Sequence, residues 1–222
     1  MKVSAWQTNF PDLMTDAVSR PAYRIQTQRL ILRCWDPTDA PLLATAIAES
    51  LEHLKPWTPW AHNEPQDLQQ RVNLLRKFRA EFDQDEHFAY GIFNQDESLV
   101  IGGTGLIPRV GKDAIEIGYW IHVDYVNQGY ATEVSAALTK VAFAVMGLKR
   151  VEIHCDPRNV RSMAVPKKLG FVHEATLRQR LDDHEGQKQD QMIWSLLLDE
   201  YPNSPAAQAQ VAAFDVMQQK IL

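Results

Sequence analysis

The seven residues Val126-Asn127-Gln128-Gly129-Tyr130-Ala131-Thr132 join two segments of different period. Upstream, Ala114-Ile115-Glu116-Ile117-Gly118-Tyr119-Trp120-Ile121 is β-branched and aromatic, the composition of a pleated strand. Downstream, Ala131, Val134, Leu138, Val141 and Val145 recur at steps of three and four, as on a helix that buries one face. Gly129 stands at the junction. The first turn of a helix carries N–H groups without partners inside the helix, and the helix dipole makes that end electropositive. A strand, a glycine-bearing turn and a helix in this order therefore suit a phosphate group. The same segment also reads as a tight connection that binds nothing.

A second segment points the same way. Gly147 fits a helix C-terminal cap, and Arg150-Val151-Glu152-Ile153-His154-Cys155 reads as a short strand. It is followed by Asp156-Pro157-Arg158-Asn159-Val160-Arg161-Ser162 and, after Met163 to Lys167, by Lys168-Leu169-Gly170-Phe171. Together these segments resemble the Gcn5-related N-acetyltransferase superfamily, whose pyrophosphate loop follows Q/R-x-x-G-x-G/A. That pattern falls here on Val126, Gly129 and Ala131. The N-x-x-S at Asn159 and Ser162 with the downstream K-L-G-F is similar to the RimJ/RimL-type branch. Three further blocks agree with it: Thr27 to Arg33, His53-Leu54-Lys55-Pro56-Trp57-Thr58-Pro59-Trp60, and Glu116 to Trp120. The resemblance covers roughly residues 23 to 200. Val126 departs from the pattern and supplies no side-chain donor, but the backbone N–H groups need no particular side chain.

The resemblance implies a GNAT-like fold, acetyl-CoA as co-substrate without a metal, and an amine acceptor. The acceptor is a protein N-terminal amine, with a small-molecule amine or antibiotic as the alternative; a non-catalytic acyl-CoA-binding regulator is the rival from another class. The backbone of Gln128, Gly129, Tyr130, Ala131 and Thr132 is expected to hold the pyrophosphate. Trp120, Ile121, His122 and Val123 form the strand end against which the pantetheine arm lies as an added strand would. Asn159 fits a helix N-cap that also bonds the pantetheine amide, and Ser162 a donor to the departing thiolate, with Tyr119 and Tyr130 as alternatives. Glu116 shares a strand face with Ala114, Gly118 and Trp120, where partial desolvation suits a general base; a glutamate paired with a lysine such as Lys112 is the structural alternative. His53, Trp57, Trp60 and Glu116 are expected on the acceptor side, because prolines stiffen that loop and indoles offer flat walls.

Composition bounds the rest. The 222 residues suit one domain, with 45% hydrophobic and 23% charged residues, ordinary for a globular protein. A net charge of −5 argues against a general nucleic-acid binder. Cys34 and Cys155 give neither a disulfide framework nor zinc spacing, and they fit buried thiols. No secretory core and no apolar run of about 20 residues is visible, so a cytoplasmic protein without a membrane span is expected.

Along the chain, residues 1–22 read as an extension, 23–200 as the acetyltransferase domain, and 201–222 as a tail whose Val211, Phe214, Val216 and Met217 suit a terminal helix. Asp36-Pro37 opens one helix and Leu68, Val72, Leu75 and Phe78 stripe a second. Seven strand patterns follow the same reading, and Gly102-Gly103-Thr104-Gly105 fits a closely packed strand rather than a phosphate loop. The expected architecture is α/β: a mixed, mostly antiparallel twisted sheet of about seven strands with helices on both faces. An exposed strand at 191–198 and the apolar tail permit a homodimer as well as a monomer.

Overall fold

The computed structural model describes residues 21–222, so all but the last two residues of the expected extension fall outside the described residues. Strands β1 (Arg24–Gln26) and β2 (Ile31–Cys34) form an antiparallel pair. Asp36 and Asp39 then close a capping box around the 3-10 turn Pro37–Asp39, which feeds helix α1 (Ala40–Leu54). A 3-10 turn at Pro59–Asn63 precedes α2 (Leu68–Asp83), capped reciprocally by Asp67 and Gln70. A meander of β3 (Phe88–Phe93), β4 (Val100–Ile107) and β5 (Ala114–Ile121) follows. Helix α3 (Tyr130–Ala144), β6 (Arg150–Cys155) and α4 (Val160–Leu169) come next, then the hairpin of β7 (Val172–Asp182) and β8 (Lys188–Leu197), and finally β9 (Ala212–Phe214).

All nine strands share one sheet in the order β7-β8-β6-β5-β4-β3-β2-β1-β9, and only β5 and β6 run parallel. Period-two alternation splits the core. Phe88, Tyr90 and Ile92 of β3 face one side with residues of α3 and α4, while Ala89 and Phe93 face the other with residues of α1 and α2. The helices therefore lie on both faces, as expected.

Three expectations are corrected. The sheet has nine strands, not about seven, because β1 and β9 are three residues each and too short to show a period. The tail is not a helix: it forms 3-10 turns at Tyr201–Asn203 and Pro205–Gln208 and then pairs β9 with β1, Ile25 opposite Ala213. Pro202 and Pro205 interrupt a helix there, and the open edge of β1 offers unpaired backbone groups that the tail satisfies. Residues 191–198 are also not an exposed edge, since β8 lies between β6 and β7. Among the described residues no helix is long and apolar enough to cross a membrane.

The feature that makes a site is the parallel pair. Pairing of β5 with β6 stops after Ala114–Arg150, Ile115–Val151 and Glu116–Glu152. Beyond Glu116, β5 follows β4 alone, with partners from Ile117–Leu106 to Ile121–Gly102. The glycines of β4 permit this close approach: a Cβ on Gly103 would stand 2.5 Å from the Trp120 indole nitrogen, and one on Gly102 would collide with the Trp120 carbonyl oxygen. A gap opens between the outer half of β5 and the end of β6.

Candidate active site

A cleft of about 480 Å³ occupies that gap. Its walls are Tyr119, Trp120 and Ile121 from β5, Gly129 to Thr132 from the start of α3, Asn159 and Ser162 from the start of α4, His53 from the last turn of α1 and Trp57 just beyond it. Gly129 is the N-cap of α3 with φ of 83°, a left-handed conformation, and no side chain caps the helix. The first intrahelical bond runs from the Glu133 N–H to the Gly129 carbonyl. The N–H groups of Tyr130, Ala131 and Thr132 thus precede the helical ladder, on residues that line the cleft. Glu133, the acidic residue of that turn, does not compete for them. Its carboxylate accepts from the Thr27 hydroxyl at 2.6 Å and from the Arg29 Nε at 2.6 Å, and the Arg29 guanidinium also lies 4.2 Å from the centre of the Tyr130 ring.

At the other side of the gap, the Tyr119 hydroxyl and Ser162 Oγ lie 3.0 Å apart, and the phenol also reaches the Ser162 carbonyl at 3.2 Å. Burial pushes the Tyr119 phenol well up, so it stays a donor at neutral pH. Asn159 is the N-cap of α4: its Oδ1 accepts from the Ser162 N–H at 3.0 Å, which leaves its amide NH₂ for other partners. Arg158, Arg161 and Lys168 add positive charge to the same cleft. Burial and the nearby Arg161 hold His53 below the usual histidine range.

A second cavity of about 430 Å³ lies on the other side of Trp57, Thr58 and Arg158, which line both. Glu116 opens into it with His154, Asp156, Asp183 and Asp190. Glu116 is only 4% exposed. Its partner is not Lys112 but Arg109, whose Nε and terminal nitrogen each donate to one carboxylate oxygen at 2.7 Å. His154 Nδ1 lies 3.3 Å from Glu116 Oε2, and its Nε2 lies 2.6 Å from Glu152 Oε2.

The expected residues therefore divide. Gly129, Tyr130, Ala131, Thr132, Trp120, Ile121, Asn159 and Ser162 converge on the first cleft, and Glu116 lines the second. His122 and Val123 do not serve as pictured. The His122 N–H donates to the Ile101 carbonyl at 2.9 Å, the Val123 N–H to Ser50 Oγ at 3.1 Å, and the His122 ring is held by Glu49 at 2.9 Å. The Gln128 side chain turns away to the Asp124 carbonyl, and its own carbonyl accepts from Arg29. His53 lines the first cleft rather than the second, and Trp60 lines neither, packing edge-on against Trp120 at 6.1 Å. Arg109, His154, Arg158 and Arg161 went unassigned in the sequence. Only Arg158 and Arg161 carried a signal, by flanking the Asn159 cap.

Residues 29–172 match the family model described as an acetyltransferase (GNAT) domain. The chain belongs to this family of acetyltransferases. It is 29% identical over 181 residues to the ribosomal protein uS5-alanine N-acetyltransferase of Escherichia coli (strain K12), covering 79% of this chain and 91% of that one. Two solved structures share its fold: RimL, a ribosomal L7/L12 alpha-N-protein acetyltransferase in complex with coenzyme A (TM-score 0.70, 21% identity, 78% of this chain and 97% of that one), and Mycobacterium smegmatis RimJ in complex with CoA-disulfide (TM-score 0.71, 23% identity, 85% and 92%). The chain is thus an acetyltransferase homologous to ribosomal-protein N-acetyltransferases.

Proposed function

We propose that this protein transfers the acetyl group of acetyl-CoA directly to a primary amine, foremost the N-terminal amine of a protein. One observation carries the reading: an anion-suited cleft and an acidic cavity meet at Trp57, Thr58 and Arg158, so two substrates of opposite charge reach a common wall. Acetyl-CoA supplies an activated thioester. The residues fit it: the uncapped N–H groups of Tyr130, Ala131 and Thr132 suit a pyrophosphate, and Arg158, Arg161 and Lys168 complement further phosphate charge. The unpaired side of β5 from Tyr119 to Ile121 suits an extended amide-bearing arm. The Tyr119–Ser162 hydroxyl pair is placed to donate to a departing sulfur.

On the acceptor side, Glu116 meets a cationic ammonium, and the acidic residues around it favour such a group. Fixing both reactants in adjoining cavities supplies orientation, which accounts for much of what an already activated thioester needs. A 430 Å³ cavity also accommodates a compact amine, which keeps a small-molecule acceptor as the second reading. Incubating the protein with acetyl-CoA and a panel of N-terminal peptides and small amines, with released thiol as readout, tests both. Peptides with free N-termini should release thiol faster than acetylated controls. Thiol release from compact amines alone would favour the second reading, and none from any amine would sink both.

A further inference from the structure

We infer that His154 is the base that takes the proton from the acceptor's ammonium, with Glu152 holding its ring and Glu116 anchoring the charge; this rests on the N-acetyltransferase reading above. Glu116 is held in a two-pronged fork by Arg109, which occupies one lone pair on each carboxylate oxygen. Such a carboxylate is fixed in position and offers its charge and its remaining lone pairs. His154 is placed differently. A carboxylate only accepts, so the 2.6 Å contact with Glu152 puts a hydrogen on Nε2; in the neutral ring the lone pair is then on Nδ1, which lies 3.3 Å from Glu116 Oε2. Glu152 is itself held by Arg150, whose Nε donates to its other oxygen at 2.7 Å.

Nδ1 of His154 and Oε2 of Glu116 are then two acceptors 3.3 Å apart, on residues that line the same cavity. An ammonium has three N–H donors and can present one to each atom. One N–H bond breaks as the Nδ1–H bond forms, and the amine nitrogen keeps the electron pair it needs for attack. The resulting imidazolium lies between two carboxylates, the arrangement in which a histidine–carboxylate pair stabilises a charged ring. After transfer the proton leaves to solvent through the open cavity. The charged groups around His154 are Glu152 and Arg150 on its own strand and Glu116 on β5 with Arg109 beside it. The hairpin of β7 and β8 contributes Asp182, Asp183, His184 and Asp190 to the cavity, the segment after β6 contributes Asp156 and Arg158, and the segment after α1 contributes Lys55 and His62.

The test is the pH dependence of kcat/KM with an acceptor used by the wild-type protein. His154→Gln should lower kcat/KM by roughly 10²–10⁴ and abolish the acidic limb, with acetyl-CoA affinity by calorimetry unchanged. Glu116→Gln should raise the acceptor KM yet keep that limb. Glu152→Gln should move the limb along the pH axis, and it serves if the His154 variant fails to fold. In His154→Ala, added imidazole should restore rate in proportion to its unprotonated form, which a merely structural histidine would not allow. A wild-type acidic limb in His154→Gln or an unmoved one in Glu152→Gln overturns the assignment while transfer persists. Absence of transfer by the wild-type protein overturns it together with the acetyltransfer reading.

Discussion

Burial and the adjacent Asp156 carboxylate push the Cys155 thiol up to about 11, and burial raises Cys34 to about 11 as well. A raised thiol pKa leaves little thiolate at pH 7, and each pH unit below about 11 lowers that fraction tenfold. Alkylation of both cysteines in the folded protein, followed by mass spectrometry, should be slow at pH 7 and accelerate towards pH 10. Rapid labelling of Cys155 at pH 7 would instead favour a route through an acyl-enzyme on that thiol. Gly129→Asp is the complementary test on the anion side. It places a Cβ at φ of 83° and a negative charge beside the N–H groups of α3, so CoA affinity by calorimetry should fall at least tenfold. Unchanged affinity would move the cofactor site elsewhere. Gly129 was legible in the sequence because its neighbours alone define a turn into a helix. The Arg109 fork and the Glu152–His154 contact were not. They depend on the register in which β5 and β6 run side by side, Glu116 opposite Glu152, which no spacing in the chain encodes.

The loop between α1 and α2 is held by an element-level clamp. Arg71 of α2 and Glu64 are 3% and 5% exposed at their side chains and pair at 2.6 Å. Glu64→Gln leaves the guanidinium buried without its counter-charge and should destabilise by about 3–5 kcal/mol in urea unfolding. A loss under about 1 kcal/mol would show that the loop is fixed by other contacts. The indoles on the same loop behave otherwise. Trp57 and Trp60 are 40% and 37% exposed, so neither is a core residue. Trp57→Ala should raise the acceptor KM several-fold with little loss of stability, whereas Trp60→Ala, which removes the edge contact with Trp120 and no wall of either cavity, should affect KM less. If Trp57→Ala instead lost the ~3–5 kcal/mol of a core truncation, the loop's role would be structural. Elements with strong local signals, such as the capped α1 and α2, were readable from the sequence. The tail was not, because Val211, Phe214 and Met217 carry helical spacing while the open edge of β1 selects a strand.

Across the whole molecule, a net charge of −5 conceals a division. Arg161 and Lys168 border only the first cavity and Asp182, Asp183 and Asp190 only the second, while Arg158, paired with Asp156, lines both. Opposite potentials at the two mouths favour encounter with an anionic cofactor at one and a cationic acceptor at the other. Raising salt from about 0.1 M to 1 M shortens the screening length from ~10 to ~3 Å, so the KM values for both substrates should rise together in steady-state assays. A rise in only one would show that the other site binds by shape. The parting of β5 from β6 carries one more consequence. Backbone amides on the gap side of residues 118–121 have no strand to shield them, although they lie in the middle of a nine-stranded sheet. In hydrogen–deuterium exchange they should label quickly in the free protein and slow sharply with CoA, while β3 and β4 hardly change. The protection of the central strand is then lent by the ligand and returned at each turnover.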